Sequence, residues 1–154
     1  MKMKQGKLSP WLIEANNIKL GFIDSSDYFL DLDDLKYVLE SKARFVFVHH
    51  PVMLGSSQFM DKNHSLKNIE EVQHFFAEYV SVESKTVFFH GHYHCDAVIS
   101  GKKVTSYICP STYYAIDTSE LAHVVEHAQP GFRLIEIDNQ LNIVTKSIYK
   151  GTIA

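Results

Sequence analysis

The fold is decided by residues 44–51, which read RFVFVHHP. Phe45–Val48 is continuously apolar, aromatic or β-branched, and such a run predicts a strand buried on both faces of a sheet. A second run of this kind, at residues 86–89, is followed by HGHYH at 90–94. Both buried strands are therefore followed at once by histidines.

Residues with helical spacing separate these strands. One amphipathic helix is predicted after an N-cap at Asp31, from Leu32, Leu35, Val38 and Leu39. A second helix is predicted from Leu66, Ile69, Val72, Phe76 and Tyr79. Residues 18–24, IKLGFID, predict a strand before the first helix. The result is two β-α-β units, with parallel strands and right-handed crossovers.

Two antiparallel hairpins are predicted after these units. The first joins Ala97–Ser100 to residues 103–108 through Gly101-Lys102, and the second joins residues 132–137 to Ile143–Tyr149. The fold class is therefore α/β, with an antiparallel (α+β) tail. We find no linker or repeat, which predicts a single domain over residues 1–154.

Composition narrows the function classes. The 154 residues carry a net charge of −3, which gives no basic surface for nucleic acid, and nine of them are histidines. No apolar stretch is long enough for a membrane helix, and no signal peptide is expected. Cys95 and Cys109 form no C-x-x-C pair, so we expect two reduced thiols in a cytoplasmic protein.

The histidines point to a metal site. Parallel strands end at one edge of a sheet, so His49 should meet His92 and His94 there, and imidazole is a common metal ligand. The i, i+2 spacing of His92 and His94 predicts that both rings leave one side of an extended segment. Gly91 permits a close backbone approach. His50 and His90 are weaker candidates: ligand neighbours, substrate-facing groups or buried residues.

Several short motifs occur in a fixed order along the chain. They are Phe47-Val48-His49-His50-Pro51, Phe59-Met60-Asp61, Leu66-Lys67-Asn68, Gly91-His92-Tyr93-His94, Pro110-Ser111-Thr112 and Pro130-Gly131-Phe132-Arg133. From about residue 19 to residue 149, the sequence resembles the C-terminal half of a calcineurin-like metallophosphoesterase. The last motif favours its class III cyclic-nucleotide phosphodiesterase branch.

This resemblance implies a hydrolase built as a four-layer α-β-β-α sandwich with two ions of Mn, Fe or Zn. A hydroxide between such ions attacks phosphorus while the metals polarise the phosphoryl oxygens. By position, His49 and His92 resemble ligands of one metal and His94 a ligand of the other. The implied substrate is a phosphodiester such as a cyclic nucleotide.

The family's earlier motifs, Asp-x-His, Gly-Asp and Gly-Asn-His, do not occur in this sequence. The bridging aspartate and the leaving-group histidine are therefore expected in a missing N-terminal half. We predict a partial domain with little activity alone. Its uncovered apolar sheet predicts a homo-oligomer, or pairing with that half.

Some alternatives stay open at this point. One alternative is that the chain is a truncated, non-catalytic remnant that binds metal or a partner. Another is that His49, His92 and His94 together hold one zinc ion. Asp61 and Asn68 either orient a ligand or cap a helix, and Tyr113-Tyr114 either line the site or pack. His123-Val-Val-Glu126-His127 matches an inverted zinc-protease motif, but Pro130-Gly131 predicts a polar segment there instead of a helix.

Overall fold

The computed structural model describes residues 3–4, 7–82 and 85–151. The strands of this part are β1 (Met3–Lys4), β2 (Lys7–Leu8), β3 (Trp11–Ala15), β4 (Ile18–Ile23), β5 (Phe45–Val48), β6 (Thr86–His90), β7 (Ala97–Ser100), β8 (Val104–Ile108), β9 (Ala115–Ile116), β10 (Val125–His127), β11 (Gly131–Ile137) and β12 (Ile143–Tyr149). Its helices are α1 (Leu32–Glu40), α2 (Gln58–Asn63) and α3 (Ile69–Tyr79).

A six-stranded sheet in the order β3-β4-β5-β6-β8-β7 forms the centre of the molecule. Strands β4, β5, β6 and β8 are parallel, while β3 and β7 run antiparallel at the two edges. The predicted α/β class, the parallel first three strands and both hairpins are confirmed. The four-layer arrangement is not seen in the described residues, where the other sheets each have two strands.

Helices α1 and α3 cover one face of this sheet, which we call the helix face. Asp31 caps α1 as predicted, since its side chain accepts hydrogen bonds from the backbone N–H groups of Asp33 and Asp34. Helix α3 begins at Ile69, one turn later than the Leu66 periodicity indicated. The two helices and the strands enclose one apolar core, which includes Leu35, Val38, Val46, Val48, Val72, Phe76 and Phe88.

The opposite face carries a row of stacked rings, one from each of five neighbouring strands, and we call it the aromatic face. Successive ring centroids lie 5.1, 4.9, 5.1 and 5.4 Å apart along Trp11, Phe22, Phe47, Phe89 and Tyr107. The β11–β12 hairpin lies against this face, and the Arg133 guanidinium sits 5.3 Å from the Tyr107 ring centre. A groove of about 460 Å³ separates the hairpin from Trp11 and Phe22.

The sequence patterns missed several short elements, of which β3 and α2 are the longest. Strand β3 pairs with β4 through Asn16 and Asn17, whose positive φ angles of 51° and 61° suit a tight hairpin turn. Helix α2 is short and is capped by Ser57. Among the described residues, no helix is long and apolar enough to cross a membrane.

Candidate metal centre

The histidines of the two motifs meet where β5 and β6 end. The ring centroids of His49 and His92 are 5.0 Å apart, and those of His50 and His92 are 4.0 Å apart. The predicted meeting of residues more than forty positions apart is confirmed. It follows from the parallel pairing of β5 with β6, which brings both strand ends to the same edge.

Gly91 allows this close approach. A Cβ at this position would lie 3.3 Å from Nδ1 of His49, a distance that leaves little room for any side chain. The Gly91 N–H also donates a hydrogen bond to the His49 carbonyl at 3.2 Å. The glycine thus ties the two histidine segments together through the backbone.

The segment that carries His92 and His94 is not extended, so that part of the sequence prediction is wrong. Both residues have left-handed backbones, with φ of 59° and 51°. The N–H of Tyr93 bonds to the Gly91 carbonyl at 2.7 Å, which makes a tight turn. The turn, and not a strand alternation, brings the rings toward the edge, while Tyr93 between them is fully buried.

His50 is buried and held by Ser25, whose hydroxyl lies 2.9 Å from its Nδ1. Its Nε2 is buried without a hydrogen-bond partner among the described residues. The pKa of His50 is lowered from 6.5 to about 3, mainly by burial and in part by the neighbouring His92 and His49, against an opposing contribution from Asp27. The imidazole is therefore neutral near pH 7.

His90 is buried, and both of its ring nitrogens have hydrogen-bond partners. Its Nδ1 lies 2.9 Å from the Val48 carbonyl and its Nε2 lies 3.2 Å from the Ser106 hydroxyl. Because a carbonyl only accepts, Nδ1 carries the hydrogen and Nε2 accepts from the serine. Burial lowers the pKa of His90 to about 4. With both nitrogens occupied, this histidine fits the buried role among those left open by the sequence.

His92 and His94 differ in the freedom of their nitrogens. Nε2 of His92 lies 3.1 Å from the His64 carbonyl oxygen and must donate a hydrogen bond to it. Nδ1 of His92 is therefore the ring nitrogen whose lone pair is available to a metal ion. Nδ1 of His94 is buried without a hydrogen-bond partner among the described residues. Burial lowers the pKa of His92 to about 4, and burial is also the main cause that lowers the pKa values of His49 and His94. All three are thus in the neutral form that binds metal ions.

These side chains do not by themselves fit a complete metal site. Within the described residues, no three His, Cys, Asp or Glu side chains are arranged to share one ion. The protonation states suit ligation, but the donors do not converge. Any ion held here would need further ligands or a rearrangement of these rings.

Asp61 and Asn68 act on backbone groups and not on the histidines. Oδ2 of Asp61 accepts from the Gly55 N–H at 2.7 Å. The Asn68 amide pairs with both backbone groups of Leu30, at 3.1 and 2.9 Å, and makes no capping hydrogen bond to α3. Asn68 thus occupies the N-cap position of α3 without a side-chain capping bond, whereas Asp61 lies inside α2.

Further aromatic rings surround the edge. Tyr28 packs against His50 with ring centroids 4.3 Å apart, and Tyr114 packs against His94 at 4.7 Å. His123, predicted to lie in a polar segment, contacts Tyr114 at 5.9 Å. Glu126 and His127 lie in strand β10, so the zinc-protease motif has no helix, as expected. Of the aromatic residues around this edge, the sequence analysis had proposed only Tyr113-Tyr114 as lining the site.

Comparison with known proteins gives one significant relative by sequence. No family model matches the chain. A protein of Fibrobacter succinogenes (strain ATCC 19169 / S85), named as a probable cyclic nucleotide phosphodiesterase, is 35% identical over 120 residues. The match covers 75% of this chain and 46% of that protein, so the chain spans about half the length of the curated relative.

Similar solved structures share little sequence with this chain. Vps29 from Chaetomium thermophilum is 10% identical with a TM-score of 0.37, over 92% of this chain and 60% of its own. A putative 5'-nucleotidase from Staphylococcus aureus is 11% identical with a TM-score of 0.42, over 90% and 28%. Vps29 from Entamoeba histolytica, complexed with Zn²⁺, is 14% identical with a TM-score of 0.36, over 96% and 63%.

The Fibrobacter match confirms the resemblance to the calcineurin-like metallophosphoesterases. Within that class, the relative is a probable cyclic nucleotide phosphodiesterase, which is the branch that the ordered motifs indicated.

Proposed function

We propose that this chain supplies the histidine part of a metal-dependent phosphodiesterase centre. The observation that carries the proposal is the cluster of His49, His50 and His92 rings, all within 5.1 Å of one another at one sheet edge. Their lowered pKa values keep them neutral, as ligands must be. The probable phosphodiesterase of Fibrobacter supports the reaction type.

In this proposal, His49 and His92 bind one divalent ion and His94 binds a second. Mn, Fe or Zn would occupy the complete site, and a phosphodiester small molecule such as a cyclic nucleotide would be the substrate. The remaining ligands, a bridging carboxylate above all, come from outside the described residues, because no complete donor set is arranged within them. His50, whose ring is hydrogen-bonded to Ser25, has a supporting structural role beside the proposed ligands.

The aromatic face supports a second part of the proposal, that the chain associates through this surface. Trp11 and Phe22 are only half-buried, and a groove of about 460 Å³ runs beside them under a single hairpin. We infer that a second copy, or the missing half of the catalytic domain, covers these rings. Large uncovered apolar surfaces are typical of such interfaces.

Two broader expectations belong to the same proposal. The chain would be one partial domain over residues 1–154. It would act in the cytoplasm, where its unpaired thiols, Cys95 and Cys109, stay reduced.

The proposal is tested by titrating the purified chain with Zn²⁺ and Mn²⁺ in a calorimeter, while following hydrolysis of bis(p-nitrophenyl) phosphate and cyclic AMP. We expect binding with little hydrolysis, and weaker binding in His49→Ala and His92→Asn. His74→Ala is the matched control, because His74 is 71% exposed and pairs with Glu78 on α3. Unchanged metal affinity in both site variants would refute the assignment, as would no binding by the wild type.

The non-catalytic alternative has one specific observation in its favour, the absence of a converged donor set among the described residues. Adding the N-terminal segment of the Fibrobacter relative in trans, or as a fusion, separates the two functions. Appearance of hydrolysis that requires His92 supports the enzyme. One bound zinc without hydrolysis supports the mononuclear or remnant alternative.

A further inference from the structure

A polar cavity of about 490 Å³ borders the sheet edge where the histidines meet, because His94 forms part of its wall. Pockets that bind small molecules have volumes in this range. The wall also includes Glu126 and His127, which end the His123–His127 motif and have no part in the proposed metal site. The cavity therefore adds hydrogen-bonding side chains next to the proposed reaction site.

Strand β10 is irregular where it carries Glu126 and His127. Its pairing with β9 shifts register between Val125 and His127, as a β-bulge at Glu126 would cause. Consecutive residues of a regular strand point to opposite faces of the sheet, so Glu126 and His127 would not normally line one cavity. A bulge redirects side chains, and both residues here reach the same cavity.

The local hydrogen bond of His127 determines which ring nitrogen carries the hydrogen. The Gln129 backbone N lies 3.3 Å from Nδ1 of His127, and since a backbone N–H only donates, Nδ1 accepts. The hydrogen of the neutral ring is then on Nε2, for which the described residues provide no hydrogen-bond partner. His127 therefore supplies one unshared N–H donor to the cavity.

The two carboxylates of the cavity wall differ in whether they already have partners. Asp96 pairs through one oxygen with the buried Arg133 guanidinium, and its other oxygen lies 3.4 Å from the Tyr149 hydroxyl. Glu126 is exposed at the mouth of the cavity and makes no hydrogen bond or ion pair within the described residues. An unpaired carboxylate and an unshared imidazole N–H are thus available side by side.

We propose that this cavity holds the guanine base of a nucleotide substrate. The Watson–Crick edge of guanine presents two adjacent N–H donors beside a carbonyl oxygen. The Glu126 carboxylate accepts both N–H groups, and the His127 N–H donates to the carbonyl oxygen. Adenine would instead place an unprotonated ring nitrogen against the carboxylate. The inference rests on the proposed function, because the base belongs to the phosphodiester whose phosphate would lie beside His94.

The test is an NMR titration of the metal-free chain with the 5'-monophosphates of guanosine, inosine and adenosine. The phosphate is the same in all three, so differences in affinity come from the base. We expect the guanosine nucleotide to bind about 10-fold more tightly than the adenosine nucleotide. The inosine nucleotide, which lacks only the 2-amino group of guanine, should fall between them. The imidazole signals of His127 should shift, and those of exposed His74 should not.

Glu126→Gln removes one acceptor oxygen from an exposed side chain and should abolish the preference for guanine. Glu120→Gln is the matched control, because Glu120 is an exposed carboxylate of the same segment outside the cavity wall. Equal binding of the three nucleotides by wild type, no binding at all, or a preference that survives Glu126→Gln would overturn the guanine site. A guanine preference in a chain that binds no metal would count against the proposed function and still support this site.

Discussion

The two faces of the central sheet are built differently. The helix face is closed by α1 and α3 over fully buried aliphatic side chains, with Leu35, Val38 and Val46 at 0% exposure. The aromatic face has large rings, a single two-stranded hairpin and half-buried residues at its Trp11 edge. The contrast indicates that the first face supplies most of the stability, whereas the second is the surface suited to association.

The largest expected effect comes from removing one ring on each face. Phe88→Ala empties a fully buried position on the helix face and should lower the free energy of unfolding by about 3–5 kcal/mol. Phe22→Ala on the aromatic face should cost roughly half as much, because its ring is only partly buried. Urea unfolding of both variants measures the difference. Equal losses would remove the asymmetry between the faces.

The burial of His90 should make the free energy of unfolding depend on pH. The folded pKa of His90 is about 4, below its ordinary value of 6.5, so the unfolded chain binds a proton that the folded chain does not. Stability is therefore complete above pH 6.5 and is lost as pH falls toward 4, by up to about 1.4 kcal/mol per pH unit for a histidine that stays neutral. Urea unfolding between pH 7 and 4.5 measures this slope. His90→Gln should have a shallower slope than wild type, and an equal slope would contradict the assignment.

Glycine substitutions give a smaller comparison of packing. A Cβ at Gly21 would lie 2.3 Å from Cγ1 of buried Val38, so Gly21→Ala should cost about 1–3 kcal/mol. A Cβ at Gly131 would lie 2.7 Å from the half-buried Tyr149 ring and 2.9 Å from Cβ of Pro110, which are milder overlaps than the one at Gly21. Thermal unfolding should show the smaller loss for Gly131→Ala. The reverse order would mean that the hairpin is packed as rigidly as the helices.

A selective effect on association is expected from Phe22→Glu, whose cost to folding should be at least that of Phe22→Ala. A charge on the aromatic face disfavours burial against another apolar surface. Light scattering at micromolar concentration should give the mass of an oligomer for wild type and 17.6 kDa for the variant. Tyr37→Glu, on exposed α1, is the control and should leave the mass unchanged. A monomeric wild type would contradict the association proposal.

Local patterns predicted the scaffold of this molecule well. The buried runs of β5 and β6, the Asp31 cap and the two tail hairpins depend on neighbouring residues, and the structure contains all of them. Strand β3 was missed because its only local signal was the Asn16-Asn17 turn. Helix α2 has just six residues, too few to show a clear periodicity.

The candidate site was predicted less completely. Sequence order and sheet topology were enough to bring His49 and His92 together. The left-handed turn at His92 was not predictable from spacing, because it depends on the burial of Tyr93 and on hydrogen bonds to distant strands. The hydrogen bond from the Gly55 N–H to Asp61 of α2 has no sequence pattern at all.

The shape of the turn also limits how this site can evolve. Apart from glycine, the residues that most often adopt positive φ are asparagine, aspartate and histidine. At positions 92 and 94, a β-branched or bulky apolar replacement would strain the chain. The non-glycine replacements that the backbone tolerates best all carry oxygen or nitrogen donors. Genetic drift in this turn would thus exchange one donor side chain for another, and in the proposed metal site it would alter metal preference before abolishing binding.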